Sequence, residues 1–290
     1  MTDDAEPAST DDTVRRLRLT IAYDGQPWSG WQSMPHGNTI QDQIEAAFAK
    51  VASISVRIHG SGRTDSGVHA LAQVAHVDVP SSLPLDEATW VRALNAVLPP
   101  SIRILDCQPA HPRFHARFDA TGKRYRYRIW RPRILMPLEA GRAAHVWGPL
   151  DLDAIRTGLS LIQGTHNFVR LSANRGAIPD TARRKDIPGS TRTIHRAECH
   201  ECGDTLELEF EGTGFLYKMV RILVGTLIHI GRGRAELAWL ADLLSSPEGD
   251  QSRHVAPAGG LYLVQVHYPS PEHKPPTEPE FSIQPSDLPL

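Results

Sequence analysis

An aspartate set between glycines, two residues after an arginine, is an unusual thing to find in a loop. The stretch "GSGRTDSGVHALAQ", residues 60–73, places Arg63 and Asp65 among three glycines and two serines in its first eight positions. A surface turn uses Gly and Ser for backbone freedom and local hydrogen bonds, and it has no need of that pair. As a phosphate cradle the loop is poor: it lacks the Gly-Lys-Ser/Thr ending of a P-loop, and Asp65 would repel a phosphate. As a reactive site it offers a carboxylate nucleophile or base, with Arg63 as the neighbouring guanidinium that favours the charged form. An Asx-turn aspartate beside a solvated arginine fits the loop chemistry as well, and the residues alone leave both readings open.

Other residue types that could do chemistry are spread along the chain. In "KRYRYRIW" (123–130) Tyr125 and Tyr127 could stack on bases or fill a core; the core reading suits Tyr127, while Tyr125 lies nearer the open start of the strand. The apolar "GFLYKMVRILVG" (214–225) carries Lys218 and Arg221, and cations in so apolar a segment seek an acidic partner or snorkel to the surface. Between His111 and Ile134 lie eight Lys or Arg (Arg113, Arg117, Lys123, Arg124, Arg126, Arg128, Arg131, Arg133) against the single acid Asp119, in a chain of net charge -2. So concentrated a basic stripe is either a local polyanion contact or a solvated strand face. "CHEC" at 199–202 is one Cys-x-x-Cys without a second pair, which falls short of a structural zinc set. No Ser-His-Asp order, metal-ligand cluster or dinucleotide fingerprint stands out, so any chemistry rests on one carboxylate, arginines and a tyrosine.

The elements that must position these residues follow from periodicity. The 290 residues are 40% hydrophobic, enough for a sizeable core. No apolar run reaches membrane-spanning length, the first residues are acidic and polar, unlike a signal peptide, and three cysteines suit a reducing compartment. "RLRLTIAY" alternates as a strand, and "NTIQDQIEAAFAKV" has helical spacing behind Asn38 or Thr39 as N-cap. "ISVRI" and "AQVAHVDV" read as strands, Trp90, Leu94, Val97 and Leu98 as a helix stopped by Pro99-Pro100, and "IRIL" as a strand. The order β-α-β-β-α-β recurs after residue 111: strand 123–130, a helix through Leu152, Ile155, Leu159 and Ile162, a hairpin around "HECGD", helices from about Phe215 and over "AELAWLADLL", and the strand "LYLVQVHY". These patterns predict an α+β protein of two ferredoxin-like (split β-α-β) halves, 14–110 and 111–268, with mainly antiparallel sheets. Residues 1–13 read as disordered, 172–189 as a long polar loop with Arg175, Arg183, Arg184 and Lys185, and 269–290 as a Pro-rich tail.

Taken together, "YDG" (23–25), "GW" (30–31), "GRTDSGVHA" (62–70), "FHARFDATGKRYRY" (114–127), "MVRILVG" (219–225) and "GLYLV" (260–264) resemble the TruA family of tRNA pseudouridine synthases, in family order and over about residues 17–268. The resemblance implies an active-site cleft between the two halves, and a cytoplasmic homodimer that converts uridines 38, 39 and 40 of the tRNA anticodon stem-loop to pseudouridine, with neither metal nor organic cofactor. It implies that Asp65 is the catalytic carboxylate, that Tyr125 packs on the target base and accepts the C5 proton, and that Arg221 pairs with Asp65. Arg63 would help flip the target nucleotide, and His69, Lys123, Arg124, Arg126 and Arg128 would contact the RNA. Two other functions remain to be told apart from this one: a tRNA-binding module or chaperone without turnover, and a hydrolase that would release free uracil.

Overall fold

The computed structural model describes residues 13–173 and 189–269. The expected N-terminal segment, the charged part of the 172–189 connection and the Pro-rich tail lie, apart from their edge residues, outside that range.

The alternation at Leu17, Leu19, Ile21 and Tyr23 builds strand β1 (Val14–Tyr23), with all four side chains buried. Helix α1 (Ile40–Ala52) is capped by Thr39, whose hydroxyl accepts from the Asp42 N–H and donates to the Asp42 carboxylate. Residues 54–58, expected as a strand, have no ladder partner; pairing is confined to the two-residue β2 (His59–Gly60) against β3 (His69–Pro80). Helix α2 (Glu87–Val97) starts at an Asp86 cap and buries Trp90 and Leu94, while Leu98 ends it. Strand β4 (Ile102–Ala110) follows.

The second stretch contains β5 (Gly122–Trp130), a two-residue β6 (Ala144–His145), α3 (Leu152–Ile162), β7 (Gly164–Asn167), the hairpin β8 (Thr191–Cys202) and β9 (Thr205–Gly212), α4 (Met219–Gly231), α5 (Leu237–Ser245) and β10 (Leu261–His267). The expected helix from Phe215 begins four residues later. Residues 213–218 form a loop, and Lys218 takes left-handed backbone angles (φ 57°) immediately before the first helical turn. A non-glycine residue in that region is strained.

The architecture is mixed α/β with a mostly antiparallel sheet. Eight strands run in the order β4-β1-β3-β10-β5-β9-β8-β7, with β2 on β3 and β6 on β5. Every neighbouring pair in that order is antiparallel except β3 and β10, which are parallel. The last strand among the described residues therefore sits in the middle of the sheet and joins residues 13–110 to the rest of the described residues. One continuous apolar cluster runs through both parts.

The two faces of β5 and β9 differ. Tyr127, Ile129, Leu206, Leu208 and Phe210 are fully buried on the core face. The opposite face carries a ladder of cross-strand ion pairs, Arg126 with Glu207 and Glu209 and Arg128 with Glu207. Among the described residues, no helix is long and apolar enough to cross a membrane.

Candidate active site

The glycine loop lies between β2 and β3, at the end of β3 where β10 pairs with it. Ala70 is opposite Leu263, and Leu263 is opposite Tyr125. Two ladder steps of about 4.8 Å thus bring the loop and the start of β5 to one end of the sheet. Along the core face of β5, Ile129 and Tyr127 are sealed in, Tyr125 is 9% exposed, and Lys123 reaches the opening. One strand therefore runs from core to cleft with the same periodicity.

The loop is held from beneath by a polar network. The Tyr23 hydroxyl meets Thr64 Oγ1 at 2.8 Å, the Ser61 hydroxyl donates to Gln73 Oε1 at 2.6 Å, and the Gln73 amide donates to the Gly62 carbonyl at 2.9 Å. Burial pushes the Tyr23 phenol up to about 12, against the opposing hydrogen bonds of Thr64 and Gln73. Gly67 adopts φ 79°, and a side chain at Gly62 would collide with the Lys123 ammonium at 2.6 Å. The glycines of the motif thus permit a tight turn and the close approach of a cation.

Asp65 is paired with Arg221. The Arg221 Nη1 donates to Asp65 Oδ2 at 2.8 Å and its Nε to the Ala256 carbonyl at 2.8 Å, while the Ala256 N–H donates back to the Arg221 carbonyl at 2.9 Å. The guanidinium is therefore fixed on two sides before any ligand arrives. Arg63, taken from the loop alone as the partner of Asp65, is instead exposed, with no hydrogen bond or ion pair to any described residue. Arg221 reaches Asp65 instead from the first turn of α4.

Asp65 opens into a cavity of about 770 Å³, whose wall also includes Tyr125, Phe215, Leu216 and Val220. Tyr125 meets Phe215 edge-on, with ring centroids 5.0 Å apart. Burial, then Tyr23 and Asp65, raise the Tyr125 phenol well above its ordinary value, so it stays neutral. Among the described residues six cations line the cavity, Arg57, Arg63, Arg117, Lys123, Arg192 and Lys218, against Asp65 as the one acidic residue. Lys123 donates to the Ser61 carbonyl at 3.0 Å; burial, with Arg117 and Arg192 nearby, pushes its ammonium down to about 8. Burial likewise lowers Arg192. Desolvated cations that face one another in this way form a site prepared for an anion.

The remaining residues expected to touch substrate are placed elsewhere. Arg124, Arg126 and Arg128 alternate with Lys123 and Tyr125 and so point to the opposite face of the sheet. There Arg126 and Arg128 are bound up with Glu207, Glu209 and Glu139. His69, expected at the substrate, is 3% exposed; its Nδ1 accepts from the Gly25 N–H, its Nε2 lies 2.9 Å from the Gly141 carbonyl, and its ring stacks on Tyr262. Within β5 the basic stripe of the sequence divides by strand alternation, and of its eight members only Lys123, on the strand, and Arg117, from the loop before it, line the cavity. Arg57, Arg192 and Phe215 carried no signal in the sequence, since each reaches the cavity through the pairing of distant strands and loops. Cys199 and Cys202 lie at the end of β8, and no group of three or more His, Cys, Asp or Glu among the described residues is arranged to hold a metal.

A carboxylate fixed by a guanidinium, a neutral phenol beside it and a ring of cations can bind a polyanion while presenting a nucleophile or base to one of its sugars. Comparison with known proteins agrees with that chemistry. A family model described as tRNA pseudouridine synthase matches residues 19–119 and 160–269. The tRNA pseudouridine synthase A of Akkermansia muciniphila is 45% identical over 259 residues, covering 88% of this chain and 96% of its own. The proteins of the same name from Latilactobacillus sakei (41% identical; 88% and 99% covered) and Bordetella petrii (41%; 89% and 93%) are similar over the same span.

Proposed function

The chain belongs to the tRNA pseudouridine synthase family, isomerases that convert uridine to pseudouridine, and from that membership we propose that it acts at uridines 38, 39 and 40 of the tRNA anticodon stem-loop with Asp65 as the catalytic carboxylate. The observation that carries this reading is the Asp65–Arg221 pair at a cation-lined cavity whose wall also includes Tyr125.

The reaction breaks the N1–C1′ bond, turns the uracil, forms C5–C1′ and moves the C5 proton away while N1 gains one. An oxygen of Asp65 could attack C1′ and be displaced in turn by C5, or the carboxylate could remove the 2′ proton to leave a glycal. Both routes begin from the aspartate as it is held here. The target base must leave its stack, which costs a few kcal/mol. Arg63, exposed and engaged by no described residue at the cavity, is suited to fill the gap, and Tyr125 to pack on the extruded base. Because burial keeps the Tyr125 phenol neutral, it would take the C5 proton only in a relay that passes on its own. Arg117, Lys123 and Arg192 would hold the RNA backbone. Arg126 and Arg128 are assigned instead to the ion-pair ladder, and His69 to the packing beneath the loop.

In this reading the sheet comprises two ferredoxin-like halves, 14–110 and 111–268, that share a cleft. The protein works as a cytoplasmic homodimer without metal or organic cofactor. Release of tritium from tRNA carrying 5-³H-uridine tests the assignment. Wild type is expected to release tritium and leave no free uracil. Asp65→Asn is expected to bind tRNA within a few-fold of wild type and release none. Wild-type turnover by that variant would overturn the role of Asp65; free uracil would mark a hydrolase, and binding without release a tRNA-binding module or chaperone.

A further inference from the structure

At the mouth of the cavity Phe118 is 74% exposed, on the same wall as Arg117 and Lys123. A phenyl ring left in water forgoes the stabilisation of burial, yet this one is held firmly in place. The His115 Nδ1 accepts from the N–H groups of Arg117 (3.1 Å) and Phe118 (3.3 Å), and the Asp119 carboxylate accepts from the His115 N–H at 2.8 Å. Below, the buried His76 Nδ1 accepts from the Ala116 N–H at 3.1 Å. The rings form a connected cluster around the buried His76: the exposed His59 stacks on it at 5.0 Å, His115 meets it at 4.7 Å, and His115 meets Phe118 at 4.2 Å. Burial foremost, with neighbouring charges, lowers His76 to about 4 and lowers His115 too, so both imidazoles remain neutral acceptors at neutral pH. The Arg117 guanidinium lies 5.7 Å from the Phe118 ring centre.

We propose that Phe118 is a stacking platform for an unpaired nucleobase of the RNA neighbouring the target uridine. The proposal rests on the tRNA reading above and adds a further point of RNA recognition to it. An exposed aromatic face fixed in orientation, bordered by a guanidinium, offers a base its π-surface and the adjoining phosphate a cation. The imidazole cluster has removed the conformational freedom that binding would otherwise have to restrain.

The test uses the full chain, an anticodon stem-loop RNA, and Phe118→Ala beside Phe118→Trp. Removal of one base stack corresponds to a fall in affinity of roughly 5- to 150-fold for Phe118→Ala, with restoration by Phe118→Trp. Because the stack is uncharged, the dependence of affinity on salt stays parallel to wild type. Turnover at saturating RNA stays within a few-fold of wild type. With 2-aminopurine placed singly at each loop position, one position is quenched by wild type and not by Phe118→Ala. Affinity of Phe118→Ala within twofold of wild type, while wild type still releases tritium, overturns the platform alone. A fall in affinity accompanied by a changed sedimentation coefficient overturns it in favour of an interface between protein copies. A wild type that neither binds nor modifies the RNA overturns the reading on which the proposal rests.

Discussion

Neutralising Arg117, Lys123 and Arg192 together, each to Gln, separates the cavity cations from the basic face of the sheet. Removing one cation from a phosphate makes the slope of log affinity against log salt shallower by about 0.7 for single-stranded and about 0.9 for duplex RNA-like charge density. For three cations the change is about 2 to 3 units. Over a fourfold rise in salt, from about 50 to 200 mM, wild type would then lose about 20- to 40-fold more affinity than the triple variant. The control is Arg126→Gln with Arg128→Gln, whose guanidinium groups are committed to Glu207, Glu209 and Glu139. Removing them leaves the largely buried Glu207 and Glu209 without their cations, a cost borne by stability rather than by RNA binding, and should leave the salt slope unchanged. The assay is fluorescence anisotropy of a labelled anticodon stem-loop in an Asp65→Asn background, so that turnover does not alter the ligand, with thermal melts to confirm folding. An unchanged slope in the triple variant, or a shallower one in the Arg126/Arg128 control, would refute the division of the stripe by strand alternation.

Three further outcomes are expected. Since the Lys123 ammonium is lowered to about 8, an RNA that binds only its charged form should lose about tenfold in affinity between pH 7 and pH 9, and Lys123→Arg should remove that loss; equal pH profiles would show that no phosphate lies there. His76 is lowered from 6.5 to about 4, so below pH 6.5 the unfolded chain takes a proton that the folded chain refuses. Stability should then fall by up to about 2 kcal/mol between pH 7 and pH 5 in urea titrations, and an identical slope in His76→Gln would contradict this. Arg221→Ala leaves Asp65 and the Ala256 carbonyl without their donor; tritium release should be abolished and stability reduced by about 2 kcal/mol, and Arg221→Lys should recover stability better than turnover, whereas wild-type turnover by either variant would count against the pairing.

The parts of the molecule legible in the sequence are those set by local periodicity. Alternation marked β1, β5, β8, β9 and β10, and helical spacing with a side-chain cap marked α1 and α2. Residues 54–58 misled because alternating Ile and Val fit a half-buried strand as well as an extended segment with no neighbour to pair with. Asp65, Tyr125 and Lys123 were found by their motifs, and the alternation in "KRYRYRIW" already implied that Lys123 and Arg124 face opposite ways. Treating the stripe as one surface ignored that rule, and the glutamates that occupy Arg126 and Arg128 come from a strand about 80 residues further on. The partner of Asp65 lies 156 residues away, beyond the reach of any local pattern, and was legible in the sequence only through the resemblance of "MVRILVG" to the family.

The central position of β10 has a consequence for the order in which the molecule is made. Until residues 261–267 leave the ribosome, β3 at His69 and Ala70 and β5 from Gly122 to Tyr127 lack the strand that pairs with both, and no ladder joins the strand after the Asp65 loop to the strand that carries Tyr125. Of the described strands, the one synthesised last is the one that closes the sheet between them. A nascent or truncated chain ending before residue 261 therefore has all of Asp65, Tyr125 and Arg221 but lacks the strand that sets their elements side by side. The aggregation hazard of two open edges and the onset of catalysis are both resolved by the same seven residues.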